Sequence, residues 1–411
     1  MPAGTEKPMT TRTRSDAGFS LPEVLISMGI MLIVLSGTFS AMSQAMKGEE
    51  LVRLTTNMNA SLRSTMDLAV RDFLQIGQGL PDSRRIGVPN GPGAQPIVRP
   101  GPDALAAAPC PGVPANFPID ATIPAVTVGP GLGGQVNGVC SDVITILAAD
   151  GTFDSVPLRA IAVNGSSITV ALPPISGGID IDDGGGDDIR VGDLIMLSRA
   201  GLSTLMYVTA VNGPAQTISF AGGDPFRLNQ FDPIDNDPAT PEMDGTINQV
   251  INGAGEPTVV GNLPSPPNPP NTPWVAATKA SRIRMLTYYV RVDPADPTNP
   301  RLLRQVNMSN VFPGPANPNG NTVGFGVEQF LLTYDLVDGT NNWIDVQMNA
   351  ADRAGGGGCG AAPCSENMIR KVNVTLSMRS RQRFSTTREF MRNSLYSQVA
   401  VRSLAFTDRY R

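Results

Sequence analysis

The chain has 411 residues with 31 basic against 36 acidic side chains and no histidine, giving a formal charge of −5, and its length allows one large domain or two ordinary ones. The missing histidine excludes Ser-His-Asp and Cys-His nucleophiles and histidine-ligated metals, and the mild acidic balance predicts no nucleic-acid affinity. Glycine (43) and proline (37) make up about a fifth of the chain while charged residues are only 16%, so a loop-rich fold is expected, with enough apolar residues (41%) for a sizeable core.

Residues 1–18 form a polar leader, with Lys7, Arg12 and Arg14 against Glu6 and Asp16, ending at Gly18. From Phe19 to Met46 the only ionisable side chain is Glu23. The apolar run Val24 to Phe39 with its small-residue flanks supplies the roughly 20 residues that cross a bilayer as a helix. A secretory signal peptide is the alternative, but it carries its cleavage site after the apolar run, and here the plausible cut precedes it.

Past Met46 the apolar residues become periodic. Leu51, Leu54, Met58, Leu62, Met66, Ala69, Phe73 and Ile76 recur every three or four positions, the period of an α-helix with one apolar stripe. The two patterns join into one helix from Pro22 to Ile76, on the order of 80 Å long at 1.5 Å per residue. Gly77, Gly79 and Pro81 end it. A coiled-coil dimer seam is the other reading of the stripe, although it lasts under four heptads.

Glu23 is the candidate functional acid. A carboxylate at the end of a membrane helix is costly to desolvate and persists with a partner or a function. A cut after Gly18 creates an α-amino group at Phe19, which on one subunit can neutralise Glu23 of a neighbour. Alternatively Glu23 sits among headgroups and favours its own helix N-terminus, an effect under about 1 kcal/mol.

The remaining segments are expected as a Pro/Gly-rich connection over 80–141, a β-rich region over 142–263, a Pro-rich loop over 264–282 and a C-terminal β-sheet region over 283–411, following the helix segment 19–79 with its membrane part 19–46. Strand patterns fall at Asp142–Ala149, Val156–Val163, Ser166–Leu172, Val191–Arg199, Thr204–Asn212 and Ala215–Phe220, with Asn164-Gly165 as a hairpin turn. A second set falls at Ile283–Val292, Arg301–Val306, Phe325–Leu336, Ile369–Arg379 and Gln398–Leu404. This set is expected to form the sheet that packs on the helix, with the earlier strands as an insertion. The fold class is α+β.

Four cysteines fall in two local pairs, Cys110 with Cys140 and Cys359 with Cys364, which reads as two disulfide-closed loops in an exported protein. A four-thiolate zinc site is the competing reading. Asp180, Asp182, Asp183, Asp187 and Asp188 surround three glycines, and Asp232, Asp235, Asp237, Glu242 and Asp244 form a second acidic loop. Calcium at the first is conceivable, but neither loop has EF-hand order, so no cofactor is expected. From Ile369 to Arg411 ten basic residues face only Glu389 and Asp408. Alternating strand residues pointing to water explain this run as well as a DNA-binding surface or an acidic neighbouring subunit does.

Gly18-Phe19-Ser20-Leu21-Pro22-Glu23-Val24-Leu25 resembles the signal of type IV pilins and of the pseudopilins of type II secretion. The resemblance implies cleavage by a prepilin peptidase between Gly18 and Phe19, methylation of Phe19, and assembly guided by Glu23. More weakly, Val70-Arg71-Asp72-Phe73, the strand Gly326 to Tyr334 and the basic terminal strands are similar to PilW-type minor pilins. The expectation is a pilus-assembly subunit and not an enzyme. It would be held in the inner membrane by one helix, with its head in the periplasm, partnering other pilin subunits through that helix and reaching the pilus or cell surface after assembly. The alternatives are a type II secretion pseudopilin, or a single-pass anchored binding protein that does not polymerise.

Overall fold

Ser20 and Pro22 open helix α1 (Leu21–Phe73), where proline is tolerated because the first N–H groups have no helical acceptor. No other proline interrupts this 53-residue helix, which runs on for about 80 Å. The structure is a computed structural model describing residues 20–81, 85–88, 97–99, 122–161, 167–171, 179–181, 188–199, 202–229, 278–293, 296–307, 321–337, 342–355, 357–361 and 363–405. Turns over 74–79 close the helix, and Gly77 and Gly79 both take φ of 71° there.

The described strands, in chain order, begin with β1 (Arg85–Gly87), β2 (Thr122–Pro124), β3 (Val126–Gly129), β4 (Gln135–Val136), β5 (Val139–Cys140) and β6 (Val143–Ala149). Next come β7 (Val156–Ile161), β8 (Ser167–Val170), β9 (Leu194–Arg199), β10 (Leu202–Tyr207), β11 (Ala210–Asn212) and β12 (Thr217–Ser219). The C-terminal part holds β13 (Lys279–Asp293), β14 (Asp296–Val306), β15 (Asn321–Phe325), β16 (Val327–Val337) and β17 (Asn342–Val346). Helix α2 (Ala350–Ala354), β18 (Ile369–Arg383), β19 (Phe390–Ala400) and helix α3 (Arg402–Ala405) complete the described elements. The architecture is α+β, a long N-terminal helix on a mostly antiparallel β-rich head.

Two sheets carry the head. In the smaller one the order is β17-β16-β18-β19, all antiparallel. The larger is organised around β13, which pairs β9 and then β14 along one edge and β7 and then β6 along the other. This corrects the expected grouping. The strands at 279–293 and 296–306 join the early β region in the large sheet instead of the sheet under the helix, because β13 is long enough to serve both. Its first residues pair Leu194–Ser198 of β9, and its last reach under α1 at Tyr288.

Two other expectations change in detail. The run at 325–336 is broken at Gly326, whose φ is 72° and where a Cβ would lie 2.5 Å from the Arg379 carbonyl oxygen. The last strand ends at Ala400 and begins at Phe390, earlier than expected, because its polar residues Arg392, Asn393 and Ser394 lie on an exposed strand with little apolar alternation. Leu404, in the short helix α3, and Val401 just before it, both read as strand, are buried in the core that also holds Ile76.

The main core lies where α1 meets both sheets: Leu62, Met66, Ala69, Phe73 and Ile76 pack with Tyr288, Phe330, Val374 and Leu376. Two further cores fill the large sheet, one around Phe153, Ile195 and Phe220 and one around Ile86, Leu205 and Phe226. In the Pro-rich connection, the buried Arg99 donates to the carbonyls of Thr127, Val128 and Val143 and to Thr145 Oγ1. These bonds tie residues 97–99 to β3 and β6, and burial pushes the Arg99 pKa below the usual guanidinium range.

Candidate functional site: the two-part helix and its seat on the head

Helix α1 changes surroundings part-way. From Leu21 to Met46 every large apolar side chain is exposed, and this half is long and apolar enough to cross a membrane. At its start, Glu23 Oε2 accepts from the Ser20 amide (3.1 Å) and the Ser20 hydroxyl (2.8 Å). In this protomer the Glu23 carboxylate closes its own helix N-terminus. Gly18 and Phe19 lie outside the described residues.

Glu50 is where contact with the head begins. Its carboxylate accepts from the Ser385 amide and hydroxyl at 3.2 and 2.5 Å, in the turn between β18 and β19. Asn59 then accepts from Asn393 at 2.8 Å, and Thr65 donates to the Val323 carbonyl at 2.7 Å. The predicted apolar stripe is buried from Leu54 to Ile76, while Leu51, its first member, lies at the exposed boundary.

Two polar residues share that buried stripe, Thr65 and Asp72. Asp72 Oδ2 accepts from Tyr288 Oη (2.5 Å) and pairs with Arg304 Nε (2.5 Å). The result is a buried latch from helix to large sheet. Burial, then the Asp72 charge, pushes the Tyr288 hydroxyl pKa well up. Burial lowers that of Arg304, but the Asp72 hydrogen bond and charge outweigh it and leave it raised. The latch was missed by sequence reasoning, yet an acid between Ala69 and Phe73 on an apolar stripe signals a buried partner.

Residues 13–39 match the family model described as the prokaryotic N-terminal methylation motif. The chain therefore carries the type IV pilin prepilin signal at its N-terminus. No curated protein and no solved structure matches it. For a pilin-like chain, the motif implies processing by a prepilin peptidase and association with other pilin subunits, and the exposed apolar helix implies membrane anchoring.

The other predicted sites divide. Cys359 and Cys364 form a disulfide, with Cα atoms 5.6 Å apart, which rules out the zinc reading for them. Cys140 is disulfide-bonded, and Cys110 lies outside the described residues. The Cys359–Cys364 loop is built around the buried Asp352, whose carboxylate accepts from the Gly358 and Asn349 amides and whose carbonyl accepts from Cys364 N–H. In the first acidic loop, Asp180 accepts from Gln216 at 2.7 Å, and Asp182, Asp183 and Asp187 lie outside the described residues, as does the second loop.

Much of the C-terminal basic run is engaged within the head. Glu328 binds Arg379 at 3.2 Å and Arg392 at 2.7 Å, Lys371 lies 3.5 Å from Asp335, and the guanidiniums of Arg379 and Arg383 lie over the Phe390 ring, 4.3 and 5.0 Å from its centre. Arg381 lies over Phe325 at 4.8 Å. Arg409 and Arg411 are outside the described residues.

Proposed function

We propose that this pilin-like chain is a minor pilin that serves type IV pilus assembly. A prepilin peptidase removes residues 1–18, Phe19 becomes the methylated N-terminus, and the apolar half of α1 passes from the inner membrane into the packed core of a filament. The head faces the periplasm and then the cell surface. The observation that carries this reading is the division of one rigid helix into a half buried in its own head and a half apolar on every side.

A simple anchor needs only about 20 residues and no acid near its end. Here Ser20 and Glu23 survive the proposed cut, so the same carboxylate that closes the helix in the lone protomer can be offered to the new Phe19 amine of a neighbour. Gly29, Ser36, Gly37 and Ala41 let helices approach closely along the exposed half. The structural role agrees with a chain that lacks the residues of the common nucleophilic triads.

Mass spectrometry of the mature N-terminus together with a filament-incorporation assay tests the proposal. A methylated Phe19, and loss of incorporation in Glu23→Ala with the head still folded, is the expected outcome. A retained leader, or normal incorporation of Glu23→Ala, overturns it in favour of an anchored protein that does not polymerise.

A further inference from the structure

Between α1, the start of β14 and the last residues of β18 the head holds a groove of about 690 Å³. Its walls carry Arg53 from the helix and Arg379 and Arg381 from β18, and Leu54, Met58 and Phe325 supply apolar surface. We propose that this groove is a headgroup site for an anionic phospholipid of the leaflet from which the head emerges. The inference rests on the reading of the apolar half of α1 as membrane-inserted before assembly.

Three observations converge on it. The first is height. The continuous apolar half ends at Met46, where Lys47, Glu49 and Glu50 follow and the exposed Val52 stands beyond them, and Arg53 lies seven residues past Met46, about 10 Å along the helix axis. The headgroup layer on each side of a bilayer is roughly 5–8 Å deep, and a helical side chain leans back toward the N-terminus, here toward the lipid. The Arg53 guanidinium therefore reaches phosphate level.

The second is charge. Arg379 is held by Glu328 at 3.2 Å and by the Thr298 carbonyl, and the groove's acid, Asp296, faces Arg301 at 3.9 Å. Arg53 and Arg381 form no ion pair with any described residue. The Arg381 guanidinium sits over the Phe325 ring, 4.8 Å from its centre, where its N–H groups can make a bidentate phosphate contact. Of the two acids one turn before Arg53, Glu50 is occupied by Ser385, and Glu49 makes no salt bridge among the described residues.

The third is the floor. Leu54 and Met58 are buried members of the helix stripe, and Met378 joins them from β18. A free phosphate has no use for such a surface, whereas the glycerol end of a lipid does. Nucleic acid would need an extended basic track, and the neighbouring cations Arg379, Arg392 and Lys371 are matched by Glu328 and Asp335.

The test uses the full-length chain in nonionic detergent, titrated with phosphatidylglycerol and phosphatidylcholine and read by native mass spectrometry. Wild type should retain one phosphatidylglycerol in preference to phosphatidylcholine. Arg53→Gln with Arg381→Gln should weaken retention about 25-fold, taking a factor of about five for each basic side chain at an anionic surface. Arg53→Lys with Arg381→Lys should keep the preference, and Arg63→Gln with Arg71→Gln, further along the same helix, should not change it. Equal retention of the two lipids by wild type, retention unchanged in the double Gln variant, or displacement of the lipid by equimolar glycerol phosphate or a single-stranded oligonucleotide overturns the inference. Incorporation into phosphatidylcholine nanodiscs separates the two readings: a chain that incorporates without a phosphatidylglycerol preference loses only the headgroup site, and a chain that does not incorporate loses both.

Discussion

Leu32 and Leu62 belong to the same helix, yet the first is 68% exposed and the second 2%. Nothing in the backbone separates them, since α1 is continuous through both. What differs is the neighbour. The second half lies on a seat of Tyr288, Phe330, Val374 and Leu376, and its buried face carries polar side chains, Thr65 and Asp72, only where the sheet answers them. The first half has no such seat, and it carries apolar residues on all sides with one acid at its tip. Helices reveal their partners through the width of the apolar face: a stripe matches a sheet of the same chain, and an apolar cylinder matches a bilayer or a bundle of other helices.

The sharpest way to break this contrast is to truncate one side chain in each half. Phe73→Ala should lower the unfolding free energy of the detergent-solubilised chain by about 3–5 kcal/mol, since Phe73 is fully buried and its loss leaves a cavity beside Tyr288. Leu32→Ala should leave it within about 0.5 kcal/mol. Equal losses in denaturant melts would mean that the exposed half is part of the folded head after all.

A smaller change probes how the seated half is fixed. Asp72→Asn keeps the shape of the side chain but removes the charge that holds Arg304, and should cost about 2–3 kcal/mol. If Asp72→Asn and Arg304→Gln each cost this much and the double variant costs no more than either, the pair acts as one latch. Additive losses would show that the two residues act separately. Below this comes the loop that flanks the seat. Cys359→Ser with Cys364→Ser should cost about 2 kcal/mol, the small value expected for so short a closed loop, and reduction of the wild type should match it.

Much of this seat was legible in the residues themselves. The 3.6-residue recurrence from Leu54 to Ile76 marks the buried face, and Gly77 with Gly79 marks its end. The prepilin signal was legible too, because its chemistry is local: a glycine, a proline and an acid at fixed spacing. Pairings that depend on distant segments were not legible. Asp72 meets Tyr288 and Arg304 across more than two hundred positions, and β13 divides its edges among β6, β7, β9 and β14 for reasons of three-dimensional register that a single strand's alternation does not encode. The partners of the basic C-terminal run were hidden in the same way, because Glu328, which holds Arg379 and Arg392, lies more than fifty residues away.

The smallest expected effect concerns acids of the head, where environment splits one residue type into opposite behaviours. Burial pushes Asp142 above the ordinary 3.8, against the Gly131 and Leu332 amides that donate to it, and burial likewise raises Asp224. Asp150 is also pushed up by burial, but the Thr152 amide and the charges of Arg282 and Arg284 outweigh that and leave it lowered. The signs follow. Asp150 adds stability that is present above the ordinary carboxylate pKa and is lost as pH falls through its depressed folded value. Asp142 and Asp224 add stability that is present below the ordinary value and is lost as pH rises through their raised folded values. Melting temperatures from about pH 2 to pH 7 should therefore show Asp150→Asn flattening the acid limb below about pH 4. Asp142→Asn should lower stability overall, through one lost amide bond, while removing part of the decline above that pH. If the two variants change the same limb, the local environments assigned to these carboxylates are wrong, because only opposite balances of burial against amides and guanidiniums can place their effects on opposite sides of the ordinary pKa.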